Sequence, residues 1–126
     1  METIFDDIFS SNHSRCQFRG RTYRGARISQ SELDKYVVGK LLFNEAFTST
    51  SKKRDVAEKF LPLPNQKHDN KKTAIFTFLF NDKNTNFTID LKGISAFPDE
   101  EEVLVMPGIP FRITKIKPGN PIEIEL

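Results

Sequence analysis

The sequence predicts an α+β domain, because its helical signals fall in the first half, its extended apolar runs crowd the second, and strands and helices do not alternate regularly. At the start, Ile4, Phe5, Ile8 and Phe9 fit a short amphipathic helix or an N-terminal arm within residues 1–16. Gln17 to Ala26 reads as a strand with Phe18, Gly20, Thr22 and Arg24 at even spacing, and its charges leave one face open to solvent or ligand. Ser29 offers a helix N-cap with Glu32 three residues on, and Leu33, Tyr36 and Val37 give that helix an apolar stripe ending at Gly39.

Leu41 to Thr48 is apolar and extended and runs into Thr48-Ser49-Thr50-Ser51. Lys52 to Leu61 carries Val56, Ala57 and Phe60 at helical spacing until Pro62, and Ser51 is its natural cap. Residues 63–72, proline-broken and then polar, form a surface loop. Thr73 to Phe80 is dense enough for a central buried strand, Asn81 to Asn84 a turn, and Phe87 to Leu91 another strand. Val103 to Met106, Phe111 to Ile116 and Ile122 to Leu126 are further strands, separated by Pro107-Gly108 and Pro118-Gly119.

With 126 residues and no internal repeat, the chain reads as one domain, residues 1–126. Twelve Phe and no Trp mean that aromatic bulk fills the core as Phe. A net charge of +2 gives no field strong enough to point to nucleic acid. Lys67, Lys71 and Lys72 read as a solvated loop. No run approaches the ~18 apolar residues that span a bilayer, so no membrane insertion is expected. Cys16 has no second cysteine to pair with, and the opening residues lack signal-peptide character. The chain as given therefore reads as cytoplasmic, with secretion open if it is a fragment or an exported effector. His13, Cys16 and His68 are too few for a zinc site, and no metal is expected.

Three places could carry chemistry. At Tyr23-Arg24-Gly25 a guanidinium can hold phosphate oxygens while glycine lets a ligand approach the backbone, or Arg24 simply lies on a solvated strand face. At Phe47-Thr48-Ser49-Thr50-Ser51 the hydroxyls can orient a carboxylate or meet a ribose, or serve only as turn and cap. Asp99 to Glu102 runs into an apolar strand. Such a run is commonly a solvated loop, but extended backbone would send Glu100 and Glu102 to one face and Glu101 away, and paired carboxylates can divide catalytic labour.

In this order the three motifs resemble the arginine-specific mono-ADP-ribosyltransferases, a family that includes vertebrate ecto-enzymes and iota-type bacterial toxins. The resemblance runs from about Arg21 to Ile116. It implies an ADP-ribosyltransferase-like fold, two packed and mostly antiparallel sheets around an NAD cleft, with short helices and a reduced N-terminal helical region. It implies NAD+ as co-substrate, without a metal, and a protein acceptor with an exposed arginine as partner. Carried over by position, Arg24 would bind the NAD phosphates and ribose, with Tyr23 beside it, and the Gly25 backbone would hold the nicotinamide amide. Ser49 would orient the catalytic glutamate, and Ser49, Thr50 and Ser51 would contribute to binding the NAD. Glu102 would bind the ribose 2′-hydroxyl and stabilise the oxocarbenium-like transition state, and Glu100 would prepare the incoming arginine. Phe60 would pack on nicotinamide, or sit in the core beside Val56, and Phe97 would meet the target. NAD glycohydrolysis, transfer to another nucleophile and an inactive binding module are the rival implications. The oligomeric state is left open.

Overall fold

The computed structural model describes residues 17–59, 61, 71–81, 87–91 and 101–126. The expected N-terminal arm, His13, Cys16 and His68, and most of the loop at 63–72, lie outside these residues. The described chain runs β1 (Gly20–Ile28), α1 (Gln30–Lys35), β2 (Leu41–Phe43), β3 (Thr48–Ser51), α2 (Arg54–Lys59), β4 (Lys72–Phe80), β5 (Thr88–Asp90), β6 (Glu102–Val105), β7 (Pro110–Arg112), β8 (Lys115–Lys117) and β9 (Ile122–Glu125). A seven-stranded sheet has the order β5-β6-β3-β1-β4-β9-β8, and β2 pairs with β7 in a second sheet. Only the β4–β9 pair is parallel among these. The class is α+β, with two sheets and short helices, as the sequence predicts.

The ladder between β1 and β4 organises the rest, with register from Gly20↔Phe80 to Ile28↔Lys72. Because side chains alternate across a strand, Ala74, Phe76, Phe78 and Phe80 share one face of β4, and all four belong to the core. Phe111 of β7 meets that face edge-on, 5.1 Å from the Phe78 ring and 6.0 Å from Phe80. Tyr36, just beyond α1, meets Phe76 at 6.1 Å. Edge-to-face aromatic packing thus holds the small sheet and α1 on one side of the large sheet, which is the work expected of phenylalanine in a chain without tryptophan. On the other side, α2 buries Val56 and Ala57.

Helix α1 forms as its cap dictates: the Ser29 hydroxyl accepts the Glu32 N–H at 3.2 Å. It is shorter than its apolar stripe suggested. Tyr36 is already extended (φ −84°, ψ 113°), and Val37 and Val38 are exposed. The chain is drawn away by tertiary pairing, with Gly39 N–H donating to Ile113 O at 2.8 Å and Ile113 N–H to Lys40 O at 2.9 Å.

Two expected strands are each divided. The run from Leu41 to Thr48 breaks at Asn44, whose side chain donates to Met106 O at 2.5 Å and accepts from Ile109 N–H at 2.9 Å. The run from Phe111 to Ile116 breaks at Ile113–Thr114: β7 stays with β2, while Thr114 N–H turns to Glu125 O at 2.9 Å and leads into β8. One run read as a single strand therefore serves two sheets, a change of partner that periodicity does not encode. Lys72, placed in the loop by its polarity, opens β4. Among the described residues no helix is long and apolar enough to cross a membrane.

Candidate active site

Strand register assembles the site. Strand β3 pairs antiparallel with β6 from Thr48↔Val105 to Ser51↔Glu102. Opposite residues share a face, so Ser51 and Glu102 project together, and Ser49, two residues back, is the diagonal neighbour of Glu102. The Ser49 hydroxyl donates to Glu102 Oε2 at 2.6 Å, within the range of hydrogen bonds to a charged acceptor. Thr50 points the other way. It is 4% exposed, and its hydroxyl donates to Val103 O at 2.7 Å. The Ser51 hydroxyl accepts the Lys53 N–H at 3.0 Å, a turn just ahead of α2 rather than the cap on the helix itself. The hydroxyl-rich segment is thus a strand, not a turn, and alternation assigns different work to each oxygen.

Arg24 closes the arrangement from β1. Its Nη1 donates to Ser49 O at 2.9 Å, so one serine receives the arginine at its carbonyl and gives its hydroxyl to the glutamate. β1 and β3 share a single register pair, Tyr23↔Ser51. Around it lies a cavity of about 330 Å³ lined by Tyr23, Arg24, Gly25, Ser49, Thr50, Ser51, Val56, Ala57 and Glu102. That volume lies at the small end of the range for ligand pockets, roughly 300–1,000 Å³.

Seven of the ten sequence candidates line this cavity, and Phe60, Phe97 and Glu100 lie outside the described residues. Thr50 lines the wall, but its hydroxyl is committed to the backbone, so the ligand-facing role expected of that oxygen is not available. Val56 and Ala57 were not expected here. Their helical spacing reads as core, and the additional fact that α2 lies over the cavity comes only from the fold.

Gly25 has a second use beyond close ligand approach. A Cβ there would overlap the Ala57 carbonyl oxygen and sit 3.3 Å from Leu61 Cδ2. Glycine lets the helix backbone come down onto the strand, which brings Val56 and Ala57 to the cavity. The start of that helix is fixed by Arg54, whose Nε lies 2.9 Å from Glu58 Oε1 and whose Nη1 lies 2.5 Å from Glu123 Oε1. The hydrogen bond from Arg54 holds the Glu123 carboxyl below the usual carboxylate range.

The extended backbone expected through Glu100, Glu101 and Glu102 is interrupted. Glu101 has φ 45°, in the left-handed region, and its carboxylate is 3.4 Å from Lys53 Nζ. The even-spacing argument that joined Glu100 to Glu102 therefore does not hold at its middle residue, because alternation requires extended dihedrals.

Arg24-Gly25 in the middle of β1, the serine strand β3 and the glutamate that opens β6 are gathered around one cavity, an arrangement that fits the class of ADP-ribosyltransferases. The chain belongs to the NAD:arginine ADP-ribosyltransferase family, whose model matches residues 7–126. Among known proteins it is similar to the ADP-ribosyltransferase Vis of Vibrio splendidus (strain 12B01), 35% identical over 101 residues that make up 80% of this chain and 39% of Vis. The crystal structure of Vis in complex with agmatine superposes with a TM-score of 0.70 at 31% identity, covering 87% of this chain and 50% of that one. The ADP-ribosyltransferase HopU1 of Pseudomonas syringae pv. Tomato DC3000 shares the fold, with a TM-score of 0.66 at 23% identity over 86% of this chain and 44% of that one. The chain thus spans half or less of the length of these relatives.

Proposed function

We propose that this chain cleaves NAD+ at the bond between nicotinamide and ribose and transfers ADP-ribose to an arginine side chain of a protein acceptor. The observation that carries the reading is the linked set Arg24–Ser49–Glu102 on the wall of one cavity. Arg24 can donate several hydrogen bonds in a fixed fork, which suits the pyrophosphate and ribose of a dinucleotide. The Gly25 backbone, on the same wall, offers polar groups to the nicotinamide amide.

As the C–N glycosidic bond lengthens, nicotinamide departs with the bonding electron pair and positive charge develops on the ribose. Glu102, held by Ser49, is a fixed negative charge for that cation and an acceptor for the ribose 2′-hydroxyl. An acceptor guanidinium nitrogen then bonds to the anomeric carbon and loses a proton. Glu100 is the residue we assign to receive the acceptor, and Phe60 and Phe97 to nicotinamide packing and target contact, as the family resemblance implies. Agmatine, which carries a guanidinium, is bound by Vis, which favours arginine as the acceptor here. NAD+ acts as co-substrate, and the residues assigned to it need no metal.

Incubation with labelled NAD+ and agmatine tests the reading. Label in agmatine, lost in Glu102→Gln, is the expected result. Free ADP-ribose without labelled agmatine would assign the protein to NAD hydrolysis, and no NAD+ consumption would identify a binding module. Mass spectrometry of a modified protein should then find ADP-ribose on arginine.

A further inference from the structure

Glu102 is reached through an unusual backbone. Glu101 is the non-glycine residue with positive φ among those described, and a side chain is disfavoured there by contact of Cβ with the backbone. Such a conformation persists only where its surroundings impose it. Here the Glu101 carbonyl accepts the Lys52 N–H at 3.1 Å, and one residue on, Glu102 O accepts the Leu91 N–H at 3.1 Å.

Lys52 is anchored in turn. Its Nζ lies 2.7 Å from Asp90 Oδ2, with both side chains mostly buried (21% and 16% exposed), and 5.2 Å from the centroid of the Phe18 ring. Phe18 N–H donates to Thr88 Oγ1 at 2.8 Å. Thr88 and Asp90 are the ends of β5, which pairs with β6 at Asp90↔Val103, the residue after Glu102. Lys52 directly follows Ser51, the partner of Glu102 in β3. One lysine therefore connects the three backbone segments that surround the glutamate: the end of β3, the left-handed turn at Glu101, and β5.

We propose that Lys52 is a positioning residue, and that by holding the left-handed turn at Glu101 between β3 and β5 it sets the direction of the Glu102 carboxylate. The inference rests on the reading of Glu102 as the group that steadies the ribosyl cation. Ser49 orients the carboxylate from its tip, and Lys52 orients it from its backbone. A shift of about 1 Å at a reacting group can cost on the order of 100-fold in rate. The loss falls on kcat, because Arg24 and the Gly25 backbone, which bind NAD+ in the ground state, lie on another strand.

The test measures kcat and KM for NAD+ with agmatine as acceptor. Lys52→Met should lower kcat by about 10- to 100-fold with KM for NAD+ within about twofold, and Lys52→Arg, which keeps a cation for Asp90 and Phe18, should recover most of it. Glu101→Val should lose activity as Lys52→Met does, while Glu101→Asn, a residue more at ease in the left-handed region, should stay near the unmodified protein. All variants are assayed below their melting temperatures. Unchanged kcat in Lys52→Met, a rise in KM instead of a fall in kcat, or equal loss in both Glu101 variants overturns the proposal. Full activity in Glu102→Gln would instead overturn the underlying reading, so the two failures are distinguishable.

Discussion

If Ser49 acts through Glu102, removing its hydroxyl should matter only while the carboxylate is present. Ser49→Ala deletes the 2.6 Å bond to Glu102 Oε2 but leaves the Ser49 carbonyl that receives Arg24, so the change is confined to one contact. A hydrogen bond to a charged group contributes about 1.5–3 kcal/mol, and the exposure of Ser49 places this one at the lower end. At about 1.4 kcal/mol per tenfold in rate, the loss in kcat/KM is roughly tenfold. Glu102→Ala removes the electrostatic stabilisation itself and should cost about 10²–10³-fold or more, as loss of such a preorganised group does. The double variant should be no slower than Glu102→Ala alone, with the missing tenfold appearing as coupling. Nicotinamide release from NAD+ with saturating agmatine measures all four corners of the cycle. Penalties that multiply, with Ser49→Ala still costing tenfold in the Glu102→Ala background, would refute the linkage.

Gly25→Ala should place a methyl group against the Ala57 carbonyl and destabilise the fold by about 1–3 kcal/mol, the cost of overpacking; a thermal melt identical to that of the unmodified protein would contradict the close approach. Phe111→Ala removes the ring that joins the small sheet to Phe78 and Phe80, and should cost about 3–5 kcal/mol, read as a lower urea midpoint. The Glu123 carboxyl is held below its unfolded pKa chiefly by the Arg54 hydrogen bond, so its contribution is present above the unfolded carboxylate value and is lost as pH falls through the folded one. Because the pair is partly exposed, that contribution is at most about 1 kcal/mol; Glu123→Gln should narrow the gap between melting temperatures at neutral and strongly acidic pH.

Local chemistry was legible and partner choice was not. The Ser29–Glu32 cap could be read directly, because a helix start is decided within one turn of chain. Arg24, Ser49 and Glu102 each have an ordinary structural reading when taken singly and could be picked out only by their order along the chain, which resembles a known family, and the fold gathers them at one cavity. The Thr-Ser-Thr-Ser segment reads as a turn and cap, because hydroxyl residues favour both, and only its pairing with β6 makes it a strand. The change of sheet at Ile113–Thr114 was hidden for a related reason: polar and apolar residues are mixed on both sides of it, and the hydrogen bonds that separate the two strands go to Lys40 and Glu125, outside the run itself. The left-handed turn at Glu101 had no signal at all, because the residue is neither glycine nor asparagine.

The large sheet is joined across β1 and β3 at Tyr23↔Ser51 alone, whereas β1 and β4 match along nine positions and β3 and β6 along four. A sheet flexes most easily where its rungs are fewest, and here that line coincides with the proposed dinucleotide groove. One flank carries Arg24 and the other Glu102, so the two halves of the site meet where the sheet has its fewest rungs. The Arg24 hydrogen bond to the Ser49 carbonyl spans that seam, adding a side-chain link where the backbone ladder is thinnest.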